Sequence, residues 1–135
     1  MVAKKEIEFL KERAIKFLEN SKYLQKKKVY DLAAFNLEQF CQLYVKYKLF
    51  LKIGDYPRTH SLKRLFNELK KVFADKKGWN NFIEEHIETI SNLENAYMTS
   101  RYLPMEFEKI EIEKMFKFCE EFKRFMKRIC IVMIQ

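Results

Sequence analysis

His60-Ser61-Leu62-Lys63-Arg64-Leu65-Phe66-Asn67-Glu68-Leu69-Lys70-Lys71-Val72-Phe73 is the stretch that decides the fold class. Leu62, Leu65, Phe66, Leu69, Val72 and Phe73 follow the i, i+3, i+4 rule of a helix with one buried face. Just upstream, Gly54 and Pro57 punctuate the end of an earlier helical run. The turn between them, Tyr56-Pro57-Arg58-Thr59-His60-Ser61-Leu62, is basic and carries an imidazole and two hydroxyls. Either Thr59 or Ser61 can cap the new helix, which points its first backbone N–H groups, and the positive end of its dipole, towards Arg58 and His60. Such a corner suits an anion, above all a phosphate. The same residues also fit a simpler arrangement in which the hydroxyls only cap and the His60 ring packs locally.

The helical period recurs outward in both directions, giving five predicted segments. The first runs from about Lys4 to Gln25, with Ile7, Leu10, Ala14, Phe17, Leu18 and Leu24 on one face and charges opposite. After the basic connection Lys26-Lys27-Lys28, the second spans about Tyr30 to Leu51. It is apolar nearly all round, so it is expected to be central or shared with another subunit. The third is the helix beginning near His60 and ending before Lys76-Lys77-Gly78. A fourth is expected from Trp79 to about Asn95, followed by a break in the stretch from Ala96 to Glu108, which contains Pro104. The fifth, about Ile110 to Ile131, carries a core stripe of Ile112, Met115, Phe116, Cys119, Phe122, Met126, Ile129 and Cys130. Phe118 and Phe125 lie off that stripe and predict a partner surface, or packing beneath the 103–107 connection.

Composition agrees with this pattern. With 135 residues, two glycines, two prolines and 48% apolar content, the chain reads as one all-α domain over residues 1–135 that needs neither disulfide nor metal to build its core. The formal charge of +8 favours an anionic partner such as nucleotide, nucleic acid or an acidic protein surface. Cys41, Cys119 and Cys130 lack close pairing and read as buried thiols of a reducing compartment. No signal peptide or membrane-spanning run is visible, so a cytoplasmic location is expected.

Few catalytic patterns are present. There is no Gly-rich phosphate loop, no H-E-x-x-H and no G-x-S-x-G, and the histidines are His60 and His86 alone. Glu84, Glu85 and Glu88 around His86 read as a solvated face rather than a metal site. A second basic and aromatic corner is Tyr97-Met98-Thr99-Ser100-Arg101-Tyr102. There Arg101 offers a forked donor for phosphate, and Tyr97 or Tyr102 can stack on a base or anchor the segment.

Three stretches together resemble the HEPN (higher eukaryotes and prokaryotes nucleotide-binding) domain in its small single-domain prokaryotic form. They are Asp31-Leu32-Ala33-Ala34-Phe35 with Gln39 and Lys46, the turn Pro57-Arg58-Thr59-His60-Ser61-Leu62, and Ser100-Arg101-Tyr102. The resemblance implies an up-and-down bundle of four long helices with an additional short one, often a homodimer. It also implies nucleotide binding, frequent pairing with a separate small nucleotidyltransferase subunit in toxin–antitoxin or stress systems, and in many branches metal-independent ribonuclease activity. Ribonuclease members carry Arg four to six residues before His. Here Arg58 stands two residues before His60, Asn36 replaces a frequent His, and Leu103 interrupts the usual Arg-Tyr-Pro run.

Two functions follow as expectations. The first is a nucleotide- or nucleic-acid-binding module, without cofactor or metal, in which Arg58 and Arg101 hold phosphate, Thr59, His60 and Ser61 complete the donors, and Tyr102 packs on the base. The second is an endoribonuclease with His60 as the candidate catalytic acid or base. A dimerisation protein without ligand is the third and plainest reading.

Overall fold

The computed structural model describes residues 2–72, 75–103 and 106–134, with the side chains of residues 2, 3, 100, 101 and 129–134 outside that description. The described residues form six helices and no strand: α1 (Val2–Lys26), α2 (Tyr30–Ile53), α3 (Leu62–Val72), α4 (Lys76–Glu85), α5 (Ile87–Tyr102) and α6 (Lys109–Ile134). The all-α bundle expected from composition and periodicity is therefore present, with α1, α2, α5 and α6 as its long members.

Local chemistry sets the helix ends. Lys28 adopts the left-handed conformation (φ 60°), and the N–H groups of Lys28 and Val29 return to the carbonyls of Gln25 and Leu24, closing α1. Gly54 does the same for α2, with φ 77° and its N–H on the Phe50 carbonyl at 2.9 Å. A side chain there would be strained, which is why glycine stands at this corner.

The second helix is central because it has apolar groups to bury on several sides. It packs against α1, α3, α5 and α6, and Ala33, Leu37, Phe40, Cys41, Val45 and Leu49 are all fully buried. α1 runs antiparallel to it: Asn20 bonds Asn36 at one end, and Glu6 accepts from Tyr56 just beyond the other. α6 runs in the same direction as α2, since Cys41 meets Cys119 and Tyr44 meets Phe122.

Two expectations are corrected. The helix predicted from Trp79 to Asn95 is two helices. Asp75 caps α4 by accepting from the Gly78 N–H at 2.9 Å, so that helix begins before Trp79. His86 then leaves helical geometry (φ −114°, ψ 17°), which separates α4 from α5 with neither glycine nor proline at the break. α5 continues to Tyr102 instead of stopping near Asn95, and Leu103 takes the extended backbone favoured before a proline.

Phe118 and Phe125 do not form a partner surface: they are 1% and 9% exposed. α4 lies over this strip, and Trp79 and Phe82 fill it. The Phe82 ring is 4.5 Å from Phe125 and 5.7 Å from Phe118, and Phe66 and Phe122 complete the cluster. Aromatic pairs at these separations add to the burial of their large apolar surfaces.

Candidate functional site

The segment between α2 and α3 is held over the end of the bundle by its own polar groups. Asp55 Oδ1 accepts from the Tyr56 N–H at 2.8 Å, and the Tyr56 ring packs on Phe50 while its hydroxyl donates to Glu6. That ring carries two cations. The Arg58 guanidinium lies 4.4 Å from its centroid and the Lys46 ammonium 5.7 Å. Arg58 is also 4.0 Å from Asp55, but both side chains are more than 70% exposed, and such a pair contributes little.

The N-terminus of α3 is capped as expected. Ser61 Oγ accepts from the Arg64 N–H, and Thr59 Oγ1 accepts from the Ser61 N–H. An anion stands at this helix end, and it belongs to the protein. The Glu94 carboxylate, from α5, accepts from Ser61 Oγ at 2.6 Å and from the Lys63 N–H at 3.4 Å, and it lies 3.8 Å from Lys63 Nζ. Ser61 thus ties α3 to α5 while Thr59 braces the turn, and the place for an external anion shifts to the exposed side of the turn, where Arg58 and Lys46 sit.

His60 is exposed at that side, and its ring stacks on Tyr97 of α5 with centroids 4.8 Å apart and planes 19° from parallel. The two corners predicted from sequence therefore meet, although the second is the last turns of a helix rather than a loop. Position 101 comes one turn after Tyr97 on α5; the Arg101 side chain lies outside the described residues. Tyr102 is 65% exposed at the end of α5.

Beneath the turn runs a row of polar groups in the otherwise apolar α2. Glu38, Gln42 and Lys46 recur at i, i+4 and i+8, one per turn on one face. Glu38 is fully buried and accepts from Gln39 at 2.8 Å and from Gln42 at 2.5 Å. The same Gln42 amide nitrogen donates to the His60 carbonyl at 3.0 Å. Burial lowers the pKa of Lys46, Glu38 opposes that effect, and the nearby Arg58 guanidinium reinforces it. Of these residues, sequence reading valued only Gln39 and Lys46, through the family resemblance. Regular four-residue spacing of Glu, Gln and Lys in a buried helix was the available signal for the rest.

His86 lies outside this site. Its Nε2 is 3.1 Å from Glu121 and its ring packs on Phe82 and Phe118, so it is half-buried rather than on a solvated face. Cys41 and Cys119 are free buried thiols with Sγ atoms 3.5 Å apart. Burial pushes the Cys41 thiol well up, and Cys119 and Glu38 add to the shift. Among the described residues no three His, Cys, Asp or Glu side chains gather in a way that could hold a metal ion. No described helix is long and apolar enough to cross a membrane.

Compared with known families, residues 7–129 match the family model of the HEPN domain. No curated protein and no solved structure gives a significant match.

Proposed function

The chain belongs to the HEPN domain family, and on that premise we propose that it is a nucleotide- or nucleic-acid-binding module whose ligand lies across the exposed turn between α2 and α3. The observation that carries this reading is the gathering of Lys46 and Arg58 on one tyrosine ring, beside the stack of exposed His60 on half-buried Tyr97. The two cations repel each other, so an anion between them relieves that repulsion, and phosphate matches the forked guanidinium. The stacked rings offer a face to a base. Arg101 joins the phosphate donors and Tyr102 the stacking groups from the end of α5, whereas Thr59 and Ser61 serve to hold the turn.

The same proposal includes assembly as a homodimer in the cytoplasm, and action with a separate nucleotidyltransferase subunit in a toxin–antitoxin or stress system. HEPN domains often dimerise, and the family model supports a nucleotide- or RNA-related role at the level of the family. Light scattering of the isolated chain tests the dimer, and co-purification tests the partner.

Calorimetric titration of ribonucleotides into the parent chain and into Lys46→Ala and Arg58→Ala tests the site. Either change is expected to weaken binding by about 1.5–3 kcal/mol, the range for a hydrogen bond to a charged group. Equal affinity in all three proteins rejects the site. Cleavage assays on RNA separate the ribonuclease alternative, in which His60→Ala lowers the rate on the order of a hundredfold while binding persists.

A further inference from the structure

A cleft of about 320 Å3 opens between α3, α4 and the start of α5, and no residue of the 55–61 turn lines it. Its size is that of a small-molecule site. Its floor is apolar: Phe66, Trp79 and Ile90 are buried there, and Ile83 and Ile87 extend the apolar surface towards the rim. Trp79 is 2% exposed, yet among the described residues no acceptor meets its indole N–H. Leaving a buried donor without a partner costs free energy, so this wall favours an occupant that brings an acceptor.

The rim adds polar groups that the protein itself does not use. Asn67 lines the cleft from α3 and Asn80 from α4, and among the described residues neither side-chain amide makes a hydrogen bond. Each such amide offers a donor and an acceptor together, the pattern that pairs with a peptide group. Three charged residues also line the cleft. Lys63 lies 3.8 Å from Glu94, whereas among the described residues Lys70 and Glu84 form no ion pair, with each other or elsewhere. Lys70 stands in the last turn of α3, beside the connection to α4, and Glu84 in the last turn of α4, beside the start of α5. Opposite charges held apart over an apolar floor match a ligand that is anionic at one end and cationic at the other.

We propose that this cleft binds a short free peptide in extended form. Its carboxylate lies at Lys70 and its ammonium at Glu84, its backbone amides pair with Asn67 and Asn80, and one carbonyl accepts from the Trp79 N–H. An apolar side chain covers Ile83 and Ile87, which removes their surface from water. The length agrees: from Lys63 to Lys70 a helix rises about 10 Å, the span of about three extended residues. A fatty carboxylate matches Lys70 and the floor but leaves Glu84 and both asparagines without partners, and a nucleoside phosphate brings no cation for Glu84. The cleft is therefore a site separate from the turn between α2 and α3, and its occupancy does not depend on nucleotide binding there.

The test titrates the whole chain with alanyl-leucyl-alanine, with its N-acetylated, C-amidated and doubly capped forms, and with decanoate. Trp79 is the only tryptophan of the chain, so its indole N–H gives one nuclear magnetic resonance signal that reports on this cleft, and calorimetry gives the affinities. The free tripeptide is expected to move that signal downfield and to saturate it. Lys70→Gln is expected to weaken the free tripeptide about tenfold and to leave the C-amidated form unchanged; Glu84→Gln does the same for the free and N-acetylated forms. Asn80→Ala is expected to weaken all four peptides. Lys70, Asn80 and Glu84 all lie outside the buried core, so the fold is kept in each variant. An indole signal that no peptide moves overturns the site. Equal affinity for the free and doubly capped peptides overturns the end-charge reading in favour of an internal segment of a protein partner. Tighter binding of decanoate, weakened by Lys70→Gln and indifferent to Asn80→Ala, overturns the peptide in favour of an amphipathic carboxylate.

Discussion

Gln42→Met tests the tie between the polar row of α2 and the turn above it in a single change. Methionine keeps the length and bulk of glutamine in a position that is 3% exposed, so packing is conserved and both donated hydrogen bonds vanish. One of them goes to the buried Glu38 carboxylate, and bonds of that kind contribute about 1.5–3 kcal/mol; the other, to the His60 carbonyl, contributes about 0.5–1.5 kcal/mol. Their sum is a loss of roughly 2–4.5 kcal/mol. For 135 residues the unfolding entropy near 60 °C is about 0.28 kcal/mol/K, so Tm should fall by about 7–16 K. Urea unfolding followed by far-UV circular dichroism gives the free energy directly, with m unchanged because the exposed surface is the same. Nucleotide affinity should fall as well, because the His60 backbone loses its tie to α2. A stability loss under about 0.5 kcal/mol would show that Glu38 and His60 do not depend on this amide, and the positioning role given to the polar row would be wrong.

Other expectations follow from the same contacts. Phe118→Ala should cost about 3–5 kcal/mol in denaturant unfolding, as for a buried aromatic side chain; a small loss coupled to a change in oligomeric state would restore Phe118 to a partner surface. Phosphate binding requires the protonated Lys46, whose pKa is lowered, so nucleotide affinity should decline with rising pH before the ordinary lysine value of about 10.4 is reached. The parent titrated from neutral to alkaline pH against Lys46→Ala shows this, and parallel pH profiles for the two would contradict it. Cys41 and Cys119 should resist a disulfide-exchange reagent until the chain unfolds, because both thiols are buried and burial raises that of Cys41. Rapid native-state labelling would mean that the α2–α6 contact opens.

How much of this could be read from sequence depended on whether the controlling interactions were local. α1, α2, α3 and α6 were legible because each buries residues at a helical period, and a period is visible in one segment alone. The break at His86 was not, since no glycine or proline marks it and α4 is placed by contacts of Trp79 and Phe82 with the distant aromatic strip of α6. For the same reason Phe118 and Phe125 were misread: an apolar strip facing another molecule and one covered by a neighbouring short helix look identical along the chain. In the candidate site, Arg58, Thr59, His60 and Ser61 stood out as a polar turn at a helix start. Glu94 did not, because its carboxylate reaches Ser61 from 33 residues away. Glu38 and Gln42 were hidden differently. In a helix apolar on almost every side, two buried polar residues gain meaning only once the turn they support is seen above them.

The most direct test of the central claim is a nuclear magnetic resonance titration of the isotope-labelled chain with a ribonucleotide. Binding at the turn predicts that the His60 and Tyr97 ring signals and the Arg58 side-chain N–H shift first and saturate together, with the ring signals moving upfield as a base stacks on them. Shifts confined to residues far from this turn, with His60, Tyr97 and Arg58 unmoved at saturation, would contradict it.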